Sequence, residues 1–408
     1  SSTREGRPVK RRSIMLIAGE VSGDALAAEL VEALREKILQ HESQPTADVQ
    51  PLHTALTPYF FGAGGPKMAA AGVDLAFDLT RHSVIGVSDM LKKLRTFRRL
   101  FLQLHRLARE RQPEVIIGVD YGVFNLRFAR AIHRHVRKHR RAFVPWQPKL
   151  VQYVSPQVWA SRPGRARRLA AHHDLLLSIF PFEKEWYRQR APKLRVEFVG
   201  HPLAGRRASS AVQRPQTGDA TRLVCLPGSR ADEVRRHWPV VTGAFVRLQR
   251  ELPNLQAKLI LPDDTLAQSA RALGVPSGLV LQVGGLSEAL AQADCALAKS
   301  GTSTLECALA GVPAVVFYKT SWPNYWIGKR VVKVKYLAMP NLLAGEAVFP
   351  EFIQAAATPE NVARVALAIL RDETRRAAIQ SRLATVVAGL GDAGASTRAA
   401  EAIVGLLY

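Results

Sequence analysis

Lys299-Ser300-Gly301-Thr302-Ser303-Thr304-Leu305-Glu306 is the stretch on which the reading of the fold turns. It follows an apolar run at 289–297 that reads as the approach of a strand, and it passes into a helical continuation at 307–310. Ser300 and Thr302 can cap a helix whose first amides have no partner inside the helix, and Gly301 lets the backbone approach an anion closely. Glu306 then stands about one turn into that helix, where a carboxylate can accept two ribose hydroxyls. An ordinary Ser/Thr cap with a box-like Glu explains the same letters, so the stretch is decided by its company elsewhere in the chain.

That company is a repeated alternation of strand, glycine loop and helix. Residues 14–18 form a short apolar strand, Gly19-Glu20-Val21-Ser22-Gly23-Asp24 turns, and 25–39 is helical. The order puts the loop at the carboxyl end of a parallel strand, where open α/β sheets bind ligands. The glycine spacing is not GxGxxG, and Glu20 and Asp24 suit sugar hydroxyls or a neighbouring loop better than bare phosphate; Asp24 as a plain helix cap is the simpler alternative. Residues 114–119 read as a buried parallel strand that ends on Asp120, with Tyr121-Gly122-Val123-Phe124-Asn125 completing the loop. A strand at 150–154 leads to Ser155-Pro156-Gln157-Val158-Trp159, where Trp159 beside Arg162 and Arg165 can bracket a phosphorylated ligand or simply pack.

Further strands fall at 59–61, 175–180 and 196–203, and the unpatterned stretch 204–221 marks a domain junction. Residues 223–226 restart the pattern, followed by Pro227-Gly228-Ser229-Arg230 and a helix containing Glu233. Arg230 can set a fixed positive fork against a pyrophosphate. Strands at 255–261, 279–283 and 314–318 complete a second parallel sheet.

Composition bounds the partners. With 408 residues, 47% hydrophobic and 22% charged, the chain fills two ordinary domains and is not disordered. Lys and Arg total 57 against 34 Asp and Glu, a formal +23, which favours nucleic acid, acidic lipid headgroups or phosphorylated substrates. Cys225, Cys295 and Cys307 sit in apolar runs without paired metal spacing, as core thiols of a reducing compartment. No secretory or membrane-spanning segment is legible, so any membrane contact is expected at the surface. Met90, Leu91, Leu94, Phe97, Leu100, Phe101 and Leu104 recur at helical spacing among Lys and Arg, a basic amphipathic helix that fits either an anionic bilayer or a core-facing stripe. Trp322, Tyr325 and Trp326 among lysines fit single-stranded nucleic acid, a lipid interface or half-buried packing.

Six motifs together carry a resemblance: residues 19–24, Val119-Asp120 with Phe124-Asn125, 153–159, Leu226-Pro227-Gly228-Ser229-Arg230 with Glu233, Ser300-Gly301-Thr302 with Leu305-Glu306, and Pro340-Asn341-Leu342-Leu343-Ala344-Gly345. Their order over nearly the whole chain resembles the lipid-A-disaccharide synthase family. The resemblance implies an α/β protein of GT-B type, two Rossmann-like domains facing across a cleft. Residues 1–204 would hold the acceptor and the catalytic base, with the basic amphipathic helix facing the membrane. Residues 205–375 would bind the UDP-sugar, and terminal helices at 376–408 would return to the first domain or be exchanged in a homodimer.

The activity it implies joins UDP-2,3-diacylglucosamine to 2,3-diacylglucosamine 1-phosphate with release of UDP, at the cytoplasmic face of the inner membrane, with no cofactor, metal or nucleic acid. Residue by residue, Asp120 becomes the base and Arg230 the stabiliser of the departing UDP. Gly228, Ser229, Ser300, Gly301 and Thr302 face the pyrophosphate, Glu306 the ribose and Asn341 the nucleotide. Glu20, Ser22, Asp24, Asn125, Ser155 and Trp159 line the sugar side. The family's usual Asp-Ala-Pro-Asp-Phe-Asn is here Asp120-Tyr121-Gly122-Val123-Phe124-Asn125, without the second acid. Another UDP-sugar transferase or epimerase shares the same outline, and the charge alone also allows a nucleic-acid-binding protein.

Overall fold

The computed structural model describes residues 11–43, 57–82, 90–139, 145–209, 220–332 and 334–408; for 82, 90–94 and 206–209 it describes the backbone alone. Seven strands build the first sheet: β1 (Ser13–Ala18), β2 (Tyr59–Gly64), β3 (Asp74–Asp78), β4 (Val115–Val119), β5 (Lys149–Tyr153), β6 (Leu175–Ser178) and β7 (Arg195–Phe198). Six build the second: β8 (Thr221–Leu226), β9 (Leu255–Leu261), β10 (Leu279–Val283), β11 (Cys295–Lys299), β12 (Ala314–Tyr318) and β13 (Glu351–Ile353). The orders are β3-β2-β1-β4-β5-β6-β7 and β10-β9-β8-β11-β12-β13.

All neighbours are parallel, for instance Ala18 opposite Val119 and Ala298 opposite Leu226. Parallel strands covered on both faces need continuous apolar runs, and β4 (Val-Ile-Ile-Gly-Val) is buried throughout. In each sheet the order reverses next to the first strand, between β1 and β4 and between β8 and β11. Such a reversal opens a crevice beyond the strand ends.

The chain divides into two units, one of Ser1–Trp159, Pro163–Pro202 and Gly394–Tyr408, the other of Ala160–Arg162 and Leu203–Ala393. In the first, the Val21–Glu42 helix buries Leu26, Leu30, Val31, Leu34 and Ile38 along one face, each contributing about 1.5–3 kcal/mol of burial. The last helix, Ala395–Val404, packs on it through Ala395, Ala399, Ala400 and Ile403. Small residues allow close approach there, and Arg398 Nε donates to Val199 O at 2.8 Å beyond β7. The preceding Glu373–Ala388 helix stays in the second unit, against the Thr302–Leu309 and Met339–Ala344 helices. The tail expected as one segment from 376 therefore divides between the two cores. The three cysteines are buried free thiols in the second core.

Two local differences from the sequence reading have physical causes. The run 289–297 is not one strand: Leu286–Ala291 is helical and only β11 is extended. Its alanines favour a helix, and a short apolar run carries no period to tell the two apart. β3 and β13 were not foreseen, because both are sheet edges with acidic or half-exposed residues and lack an apolar run.

The basic amphipathic helix spans Met90–Arg111. Residues 83–89, including Ile85-Gly86-Val87, lie outside the described residues, as do the side chains of Met90, Leu91 and Leu94. From Phe97 onward the stripe faces inward: Leu100, Leu104 and Ala108 are core residues, with Phe97 and Phe101 packed against them. The junction expected at 204–221 falls largely on 210–219, outside the described residues.

The tie between the last helix and the first unit is measurable. Ile403→Ala removes a fully buried side chain and is expected to cost about 2–5 kcal/mol; urea unfolding at unchanged slope checks it.

Candidate active site

In the first unit, the loops after β1 and β4 come together. Asp120 and Tyr121 directly follow β4, and both take left-handed backbone, φ +51° and +43°, which costs a non-glycine residue about 1–2 kcal/mol. Hydrogen bonds impose it. Asp120 N donates to Tyr153 O at 2.8 Å. Its carbonyl accepts from Asn125 Nδ2 at 2.8 Å and from Gln152 Nε2 at 2.9 Å. Gln152 also reaches Val154 O at 3.2 Å, where a β-branched residue holds φ +66°.

Gln152 thus pins the ends of β4 and β5, a positioning role the sequence reading missed. Its signal was there: an amide inside an otherwise apolar strand has to find partners. Gly19 is required by the same turn, since a Cβ there would lie 2.3 Å from Tyr121 Cδ1. Gly23 brings the first turn of the Val21–Glu42 helix against Asp120, whose Cβ is 3.4 Å from where a Cβ at 23 would stand.

Burial raises the Asp120 pKa, and the charge of Glu20 adds to it, against a smaller opposing hydrogen bond from the Tyr121 N–H. Burial and Glu20 also push the Tyr121 hydroxyl up to about 12. Glu20 and Asp120 are half-buried, and Ser22 is exposed at the start of its helix.

The remaining residues expected on the sugar side are occupied within the unit. Asp24 is buried and accepts from the amides of Gly65, Lys67 and Met68 at 2.7, 3.0 and 3.1 Å. It lies inside the Val21–Glu42 helix instead of capping it, and holds the neighbouring loop at the start of the Pro66–Ala70 helix. Asn125 is buried and holds the Asp120 carbonyl rather than standing at the surface. Ser155 is buried with its Oγ 3.0 Å from the Tyr187 hydroxyl, and Trp159 Nε1 donates to Glu183 Oε1 at 2.9 Å. Both of these build the unit's interior, because an indole N–H or hydroxyl buried there has to be paired.

In the second unit the loops after β8 and β11 are tied to one another. Gly228 takes φ +139°, and a Cβ there would lie 2.7 Å from Glu233 Cβ. Glu233 Oε2 accepts from Ser229 N at 3.1 Å, and its Oε1 meets Lys299 Nζ at 2.9 Å. Burial alone would raise the Glu233 pKa, but the Lys299 ammonium and the Ser229 amide outweigh it and hold the carboxyl below its ordinary value. This half-buried pair spans the point where the strand order reverses.

Arg230 is exposed as the N-cap residue of the 21-residue Ala231–Glu251 helix. His237, buried about two turns along, sits with Nδ1 3.0 Å from Pro227 O and Nε2 accepting from Lys319 N at 2.9 Å. A carbonyl on one side and an N–H on the other fix the neutral Nδ1–H tautomer, and burial lowers the pKa in the same sense.

The opening stretch differs in detail from its sequence reading. The N-cap of the Thr302–Leu309 helix is Gly301, and no side chain caps it. Ser300 Oγ donates to Leu337 O at 2.9 Å, and Thr304 Oγ1 to Gly301 O at 2.7 Å. Thr302 is exposed at the first position, and Glu306 is half-buried one turn later. Asn341 is fully buried and committed: its Nδ2 donates to Phe349 O and Glu351 Oε1, both at 2.7 Å, and its Oδ1 accepts from Phe349 N. Glu351 also accepts from the amides of Leu337 and Ala338 at 3.0 and 2.9 Å. The amide expected to read a nucleotide instead shapes the loop, since the Phe349 carbonyl and the Glu351 carboxylate take its N–H donors and the Phe349 N–H engages its oxygen. Among the described residues no three His, Cys, Asp or Glu stand together to hold a metal ion.

Two parallel sheets, each with its polar loops at a reversal of strand order, define the GT-B class. Solved structures agree on the fold. The calicheamicin glycosyltransferase has a TM-score of 0.56 at 15% identity, over 98% of this chain and 99% of that one. MnaA of S. aureus, in a co-structure with UDP, has 0.60 at 14% identity, over 97% of each.

The family model for lipid-A-disaccharide synthetase matches residues 14–403. Lipid-A-disaccharide synthase of Myxococcus xanthus (strain DK1622) is 36% identical over 402 residues, 97% of each chain. That of Syntrophus aciditrophicus (strain SB) is 36% identical over 400 residues, 95% of this chain and 96% of that one. The chain belongs to the lipid-A-disaccharide synthase family and is a glycosyltransferase of lipid A biosynthesis.

The buried network around Trp159 yields a stability prediction. Burial pushes Glu183 up to about 7 from an ordinary 4.5. A raised folded pKa gives stability that is complete below the unfolded value and is lost as pH rises through about 7. Glu183→Gln is therefore expected to flatten the fall in Tm between pH 5 and 8, at about 2–4 °C per kcal/mol; calorimetry across that range checks it.

Proposed function

We propose that the chain transfers diacylglucosamine from its UDP derivative to the 6-hydroxyl of 2,3-diacylglucosamine 1-phosphate, giving a β-1,6-linked disaccharide 1-phosphate and UDP. The first unit holds the acceptor and the second holds UDP. The observation that carries the reading is Asp120: a carboxylate with a raised pKa, held in left-handed backbone at a strand end. A carboxylate of raised basicity is the better proton acceptor. As the acceptor oxygen forms its bond to the anomeric carbon, Asp120 takes the hydroxyl proton. The bond from that carbon to the phosphate oxygen breaks, and UDP leaves with the electron pair.

Arg230 and the unpaired amides at the starts of the Ala231–Glu251 and Thr302–Leu309 helices receive the negative charge that grows on the diphosphate. Gly228 and Ser229 let the backbone approach it, and Glu306 holds the ribose. Ser22 and Glu20 border the acceptor. The acylated substrates put the enzyme against the anionic inner face of the inner membrane. Among the described residues no helix is long and apolar enough to cross it.

The test is UDP release from UDP-diacylglucosamine with diacylglucosamine 1-phosphate. Asp120→Ala and Arg230→Ala are each expected to lose about 100-fold or more in turnover with unchanged melting. Transfer to a soluble acceptor, or a free monosaccharide product, points instead to another UDP-sugar enzyme.

The electrostatics give a second outcome. Turnover falls on the acid side as Asp120 takes up a proton, and the Glu20 charge makes that proton harder to lose. Glu20→Gln is expected to move the acid limb of the kcat/KM profile to lower pH, by up to about one unit. An unmoved limb removes Asp120 as the titrating group.

A further inference from the structure

The Trp322–Val331 helix is built the wrong way round for a surface helix: it has no buried residue, and its outer side chains are large and apolar. Trp322, Trp326 and Ile327 are 56%, 55% and 62% exposed. The chain has six tryptophans, and these two alone stand among its exposed large hydrophobics. Trp322, Trp326 and Arg330 follow at i, i+4 and i+8, one row along the helix. Lys329 Nζ lies 5.7 Å from the Trp326 ring centroid. The surrounding sequence carries one sign of charge, with Lys319, Lys329, Arg330, Lys333 and Lys335 and no Asp or Glu between Glu306 and Glu346.

We propose that the Trp322–Val331 helix docks the second unit on an anionic bilayer surface, its two indoles entering the headgroup layer and its cations facing lipid phosphates. Interfacial helices combine these features, exposed Trp and Ile with Lys and Arg at the flanks, and indole rings settle at headgroup depth. A nucleic-acid face fits less well, because Ile327 is the most exposed of the three and has nothing to stack on a base. The helix follows β12, the strand beside β11, and leaves the sheet at the edge that carries Ser300. Docking there would present the nucleotide loops of this unit to a donor whose acyl chains stay in the bilayer. That purpose rests on the proposed reaction, whereas the docking itself does not.

The test uses the full-length protein and vesicles of phosphatidylethanolamine with or without phosphatidylglycerol, without substrate, so its failure is separate from failure of the UDP-release assay. Wild type is expected to co-sediment with the anionic vesicles only, and brominated acyl chains should quench its tryptophan emission. Trp322→Phe with Trp326→Phe should abolish the quenching while sedimentation persists. Trp322→Ser, Trp326→Ser and Ile327→Ser together should weaken partitioning about tenfold or more. Lys329→Ala with Arg330→Ala should weaken it on the order of fivefold per charge. All these side chains are exposed, so far-UV circular dichroism and Tm should stay as in wild type.

Quenching that survives in the Phe pair overturns the proposal, as does triple-Ser partitioning equal to wild type. So does an oligonucleotide that binds at physiological salt and is lost with these residues, or a change in oligomeric mass that tracks them.

Discussion

Parallel pairing is the constraint from which the chemistry of this molecule follows. Because every strand of both sheets runs the same way, every loop that follows a strand leaves by the same edge of its sheet. Each helix that returns the chain begins there, with its unpaired amides and the positive end of its dipole. An anion is therefore favoured at that edge before any side chain is chosen. The reversal of strand order between β1 and β4, and between β8 and β11, then parts neighbouring loops widely enough for a ligand. Asp120 follows one of these strands in the first unit, and Arg230 and Ser300 lie just beyond two of them in the second.

The two edges are stiffened by different means. In the first unit strain is held by hydrogen bonds: three left-handed residues, Asp120, Tyr121 and Val154, are fixed largely through the carboxamide of Gln152 and the amide of Asn125. In the second an ion pair is added to the hydrogen bonds. Glu233 bridges Ser229 and Lys299, while His237 joins the Pro227 carbonyl to the Lys319 amide. A base has to be aimed, which favours a rigid turn. A cradle for diphosphate has to hold several donors in one arrangement, which favours links between loops.

How much of this the sequence disclosed depends on the length and period of each signal. Strands β1, β4, β8 and β12 are built on apolar runs, and the loops after β1 and β8 carry glycines where close approach demands them, so the α/β architecture was legible. Residue roles were less so. Asp24, Ser155, Trp159 and Asn341 have side chains that can bind either ligand or backbone, and only the fold shows that Gly65, Tyr187, Glu183 and Phe349 already engage them. Ser300 looked like a cap and in fact anchors Leu337, 37 residues further along the chain. The Met90–Arg111 and Trp322–Val331 helices show the same ambiguity in reverse. Both read as aromatic or apolar among bases, yet Leu100 and Leu104 of the first are core and Trp322 and Trp326 of the second are not.

The depth of the Glu233–Lys299 contact bears on how the molecule will respond to ionic strength. Its side chains retain 21% and 17% of their exposure, so dissolved ions shield it far less than they shield contacts lying in open solvent, whose reach shrinks to about 8 Å at physiological salt. Added electrolyte will therefore act first on Arg230 and on the lysines flanking the exposed indoles. The geometry of the loop pair beneath them will persist, so that brine alters how readily anionic molecules arrive without altering the shape that receives them.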